Sequence, residues 1–145
     1  MKLVFLLSLF MFSAIAHDGG HGPALKDESS YGGKVSAIID SKEVNLGRKA
    51  KMLFKAELVH NSKKNEVKVY LYDQNMKAID LKMFENKMEA VQIEGKKEKK
   101  FSLKLDKSGK FFVGKRPKNK RVPFNIDIML KKEEPTLFGA FDGLD

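Results

Sequence analysis

Phe124-Asn125-Ile126-Asp127-Ile128-Met129-Leu130 alternates apolar side chains at the even positions with Asn125 and Asp127 between them. A period of two marks a strand with one buried face. The same period recurs outward along the chain. In 99–105 the apolar set is Phe101, Leu103 and Leu105, opposed by Lys100, Ser102 and Lys104. In Glu66–Tyr72 it is Val67, Val69 and Leu71, and in 52–58 it is Met52, Phe54, Ala56 and Leu58, with Lys55 and Glu57 facing the other way. Lys34–Asp40, 88–93 and 110–113 complete about seven short strands. Polar turns at 60–65, 73–77 and 106–109 separate them, and 94–98 reads as a hairpin. Only 80–87 reads as a short helical turn. This pattern predicts an all-β domain over 34–131, a two-layer antiparallel β-sandwich of Ig-like or Greek-key type, with a small closed barrel as second choice. The tail 132–145 carries Leu137, Phe138, Phe141 and Leu144. It is expected to dock as a short helix or strand, with a partner-binding peptide as the alternative.

The amino-terminal end has a different grammar. Lys2 precedes the apolar run 3–12, and Ser13-Ala14-Ile15-Ala16 follows it. One cation, a short greasy segment and an Ala-x-Ala step read as a signal peptide cut after Ala16. The run is too short to span a bilayer, and no other stretch is long enough for a transmembrane helix after cleavage. The expected product is periplasmic or secreted. Removing sixteen of the 145 residues leaves a mature chain of 129 that begins at His17. Residues 17–33, rich in glycine and polar side chains, read as a flexible leader.

Composition narrows the chemistry. There is no cysteine, so disulfides, thiolate metal sites and cysteine nucleophiles are excluded. No glycine-rich phosphate loop follows a strand, and no serine–histidine–aspartate arrangement is evident, so the chain does not read as an enzyme. It carries 28 Lys and Arg against 19 Asp and Glu, for a formal charge of +9. The excess is concentrated in Lys96 and Lys97 (with Lys99 and Lys100) and in Lys115, Arg116, Lys118, Lys120 and Arg121. An exported protein does not meet nucleic acid, so these loops read first as solvated segments that keep the protein soluble, and otherwise as a surface for anionic lipid head groups, cell-wall polymers or an acidic envelope protein.

Two of the three histidines, His17 and His21, fall in the first five residues of the expected mature chain. A terminal histidine offers its α-amine, with a pKa of about 7.7–8.0, and its imidazole to one metal ion. Nitrogen ligands of this kind suit divalent metals, and affinity along the series peaks at copper. His17 would give amine and imidazole, His21 a second imidazole, and His60, in a predicted loop, a third. The reading that follows is Cu(II) buffering or delivery, with no cofactor otherwise. Met52, Met76, Met83, Met88 and Met129 are candidate soft Cu(I) ligands but show no clustered spacing; Met52, on an apolar strand face, reads as packing, while Met76, Met83 and Met88 stay open between the two.

Gly32-Gly33-Lys34-Val35, residues 55–59, Val69-Tyr70-Leu71-Tyr72-Asp73, Lys77-Ala78-Ile79-Asp80, and the later segments 101–105 and 124–128 together resemble small exported bacterial β-sandwich domains associated with heavy-metal handling or efflux. Tyr31 stands where that group tends to have a histidine. The resemblance implies a periplasmic sandwich linked to metal handling, with a metal-efflux component as partner.

Overall fold

The structure, a computed structural model, describes residues 22–145. It contains strands β1 (Lys34–Asp40), β2 (Met52–Asn61), β3 (Glu66–Tyr72), β4 (Lys87–Glu94), β5 (Lys97–Leu105), β6 (Phe112–Lys115), β7 (Phe124–Leu130) and β8 (Leu137–Leu144). Every pairing is antiparallel, and the order β1-β2-β3-β6-β5-β4-β7-β8 returns on itself because β8 pairs with β1. The two-layer sandwich expected from the sequence is therefore corrected to a closed eight-stranded barrel.

The correction comes from β8. Leu137, Phe138, Gly139, Ala140 and Phe141 are all buried, so this strand has no period of two. Leu137, Phe141 and Leu144 belong to the main core. Phe138 and Ala140 face the other way and are covered by Ile39, Ala50 and Val44. Seven strands leave β1 and β7 as open edges. The eighth pairs with both and removes them, as full closure does in small barrels.

The alternating residues fill the barrel as their period requires. Ala56, Leu58, Val67, Val69, Met88, Leu103, Phe112, Phe124, Ile126 and Ile128 are all buried in one cluster. The register divides the molecule into two ends. At one lie Asp40, Met52, Tyr72, Lys87, Leu105 and Leu130. At the other lie Lys34, Asn61, Glu66, Glu94, Lys97, Lys115 and Phe124.

Two connections skip strands and so cross the barrel ends. Segment 73–86 carries the chain from β3 to β4 past β6 and β5. Its 3-10 turn Leu81–Met83 buries Leu81, and Phe84 follows it into the core, where it meets Phe54 edge to face. Asp80 caps that turn by accepting from the Lys82 amide. Segment 116–123 carries the chain from β6 to β7 across the opposite end. It brings polar side chains instead, beginning with Arg116.

Residues 22–33 contain no strand, yet they are tied to the outer face of β2. Lys55 and Glu57 alternate with the core residues and point outward, but they are 7% and 0% exposed because this segment covers them. Lys55 pairs with Asp27 at 2.8 Å. Glu57 accepts from the amides of Ser30, Tyr31 and Gly33 at 2.8–2.9 Å and from the Tyr72 hydroxyl at 3.1 Å. Burial first, with the neighbouring Glu57 carboxylate adding to it, raises the Tyr72 phenol to about 12. Tyr31 then stacks on Tyr70 with ring centroids 4.1 Å apart.

Candidate functional site at the basic end of the barrel

Three loops meet at the Phe124 end: 61–66, 94–99 and 115–121. Between them they carry ten lysines and arginines against three carboxylates, Glu66, Glu94 and Glu98. Asp142 and Asp145, on the carboxy-terminal segment, lie at the same end. The connections at the opposite end, 40–51, 73–87, 105–111 and 131–136, carry eleven cations against eight carboxylates. The charge excess of the described residues is thus gathered mainly on one rim.

Of the basic residues singled out from the sequence, Lys96, Lys97, Lys115, Lys118, Lys120 and Arg121 are exposed on this rim. Arg116 is not. It is 4% exposed, and its guanidinium lies over the Phe124 ring at 4.6 Å from the centroid. The reason is parity. Phe112, Gly114 and Arg116 share one face of β6 and its continuation, and Phe112 points into the core. Gly114 allows the close crossing with β5 that this needs, since a Cβ there would meet the Ser102 carbonyl oxygen at 2.5 Å.

Strand β4 brings two more polar groups inside by the same alternation. Met88, Ala90, Gln92 and Glu94 share its buried face. Glu94 is 4% exposed and fully engaged. Its Oε1 accepts from Gln92 Nε2 at 2.8 Å and from Lys99 Nζ at 3.0 Å. Its Oε2 accepts from the backbone amides of Lys120 and Arg121 at 2.8 and 3.2 Å. These donors, the Lys120 amide foremost, hold the carboxyl down at about 2. One carboxylate therefore fastens the basic loop to the barrel. The sequence marks neither Gln92 nor Glu94, since 94–98 reads as a hairpin turn. Continuing the Met88-Ala90 alternation two steps would have found both.

Arg116 Nη1 donates to Gln92 Oε1 at 3.3 Å, to the Pro117 carbonyl at 3.1 Å and to Asn119 Oδ1 at 3.0 Å. Its Nε and Nη2 are buried without a partner. Burial lowers the Arg116 pKa, with Glu94 opposing the shift, but a guanidinium stays charged across the accessible pH range. Cation–π contact with Phe124 offsets part of its desolvation.

His60 stands on β2, paired with Val67, and is not in a loop as expected. It shares the inward parity of Ala56 and Leu58, and its ring packs edge to face on Phe124 with centroids 5.8 Å apart. Its Nδ1 is buried without a partner. Burial, and next the Arg116 charge, lower its pKa, while Asp145 acts the other way. Its imidazole is thus neutral at pH 7, beside a fixed cation.

His17 and His21 lie outside the described residues. Gly22 packs on Ala37 and Ile39 and donates its amide to the Gly47 carbonyl. Ala37 pairs with Lys55, which is five residues along β2 from His60. At roughly 3.3 Å per residue that is roughly 16 Å. The structure therefore brings His60 together with Arg116 and Phe124, and sets Gly22 toward the other end. Among the described residues, no group of three or more His, Asp or Glu is placed to hold a metal ion. No helix among them is long and apolar enough to cross a membrane. Comparison with protein-family models, with curated proteins and with solved structures found no match.

Proposed function

We propose that the chain is an exported, non-enzymatic binding module that receives an acidic protein segment on the basic end of its barrel. The observation that carries this is the charge asymmetry of the two ends: ten cations against five carboxylates, Asp142 and Asp145 included, at one, and eleven against eight at the other. A rim of one sign raises the local concentration of an oppositely charged partner and orients its approach. The loop 115–121 is also held in one arrangement by Glu94 and by the Nη1 contacts of Arg116. A pre-ordered loop loses less entropy on binding than a free one.

The test is polyglutamate binding to the intact protein and to two doubly reversed variants. Lys118→Glu with Lys120→Glu alters the basic rim, and Lys49→Glu with Lys132→Glu alters the opposite end by the same total charge. Loss confined to the first variant supports the reading. Equal loss in both means that net charge alone attracts the polymer, and the reading fails.

A further inference from the structure

Buried polar groups in folded proteins are nearly always paired. Three nitrogens around the Phe124 ring are not: Arg116 Nε, Arg116 Nη2 and His60 Nδ1. The two from Arg116 are not scattered. Nη1 turns to Gln92, Pro117 and Asn119, which leaves the Nε–Nη2 edge intact. That edge presents two parallel N–H groups and matches the two oxygens of a carboxylate.

Among the described residues, no carboxylate bonds to this edge. Glu94 is buried nearby, but both of its oxygens are taken by Gln92, Lys99 and the amides of Lys120 and Arg121. Lys99 is spent on Glu94 and on the Lys118 carbonyl. Arg116, Lys99 and Glu94 together therefore leave one net positive charge inside the barrel mouth, which matches a monoanion better than a doubly charged phosphate. A neutral His60 beside it offers Nδ1 as a donor in one tautomer, at no further charge.

We infer that the Nε–Nη2 edge of Arg116, backed by Phe124 and flanked by His60, is a carboxylate-recognition site that takes one acidic side chain or chain terminus of the segment docking on the rim. The inference rests on the acidic-partner reading for the source of that carboxylate, but not for the site itself.

The experiment is a proton–nitrogen NMR titration of the full mature chain, following the Arg116 Nε–H resonance, assigned by through-bond correlation to the Arg116 backbone. Acetate, inorganic phosphate and chloride are added at matched ionic strength. The expected result is a saturable downfield shift with acetate that chloride does not reproduce and phosphate does not exceed in affinity. Arg116→Lys keeps the charge and loses the fork, so acetate binding, read at the His60 ring protons, weakens about tenfold or more. No saturable shift, an equal response to chloride, or tighter phosphate binding overturns the inference, and the wild-type titration decides this even if the variant does not fold. Acetate binding without polyglutamate binding upholds the fork and overturns the acidic-partner reading. Polyglutamate binding without an acetate shift overturns the fork alone.

Discussion

The two strand-skipping crossovers, 73–86 and 116–123, close opposite ends of one barrel by opposite means. The first inserts Leu81 and Phe84, both buried, and holds its turn with a single Asp80 cap. The second inserts Arg116 and is fastened by Glu94 and Gln92 through hydrogen bonds. Apolar burial is non-directional and contributes stability wherever area is removed from water. A buried guanidinium contributes little net stability, because desolvation offsets most of its attraction. The difference teaches that the first crossover serves the fold, whereas the second keeps a buried charge that adds little to it, as the proposed recognition role requires.

That contrast can be broken or sharpened by substitution. The largest effect is expected at the apolar end. Leu81→Ala removes a fully buried side chain and should cost about 2–5 kcal/mol in urea unfolding. Polyglutamate affinity of the folded variant should not change; a parallel loss would show the two ends to be coupled.

Next comes the outer anchor. Glu57→Gln leaves amides of 30–33 short of an acceptor and should cost about 2–3 kcal/mol, a charged hydrogen-bond acceptor being worth that order. Limited proteolysis should then cut within 22–33, and protection equal to the parent would mean that the segment is held by Tyr31 and Asp27 instead.

At the basic end the expected effects are tied to pH. Glu94, held at about 2 against an ordinary 4.5, stabilises the fold above its unfolded pKa. That contribution is lost as pH falls from about 4.5 toward about 2. Glu94→Gln should flatten the acid limb of the stability curve over this window, and an unchanged limb would remove Glu94 as the fastener of loop 116–123. The smallest effect belongs to His60. Its lowered pKa means that its neutral form is favoured by folding, so its contribution is present above 6.5 and lost as pH falls below that value. Its ring protons should titrate below 6.5, and replacing Arg116 with Met should move the midpoint upward.

How much of this could be read from the sequence follows from burial. Strands with one wet face announce themselves, and Glu66–Tyr72 and Phe124–Leu130 fall where the alternation puts them. Strand β8 is covered on both faces, contains Gly139 and Gly143, and shows no period, so the barrel was legible only as a second choice behind a sandwich. Lys55 and Glu57 read as solvated because sequence does not reveal that 22–33 returns across them. Arg116 was visible as one of a basic cluster, but not as the member that turns inward. Exposed and buried arginines are spelled alike, and only the step from Phe112 through Gly114 distinguishes it. His17 and His21 lie outside the described residues, so the copper reading gains no geometry from the fold.

The account centres on a basic rim that takes an acidic chain, and the salt dependence of polyglutamate binding tests it most directly. Calorimetric titration between about 50 and about 300 mM sodium chloride spans the range in which exposed charges become screened. The account predicts a saturable complex whose Kd rises at least about tenfold across that range, and a Lys118→Glu, Lys120→Glu variant that fails to bind even at the lower salt. Affinity that is flat in salt, or unchanged by that double reversal, would contradict it.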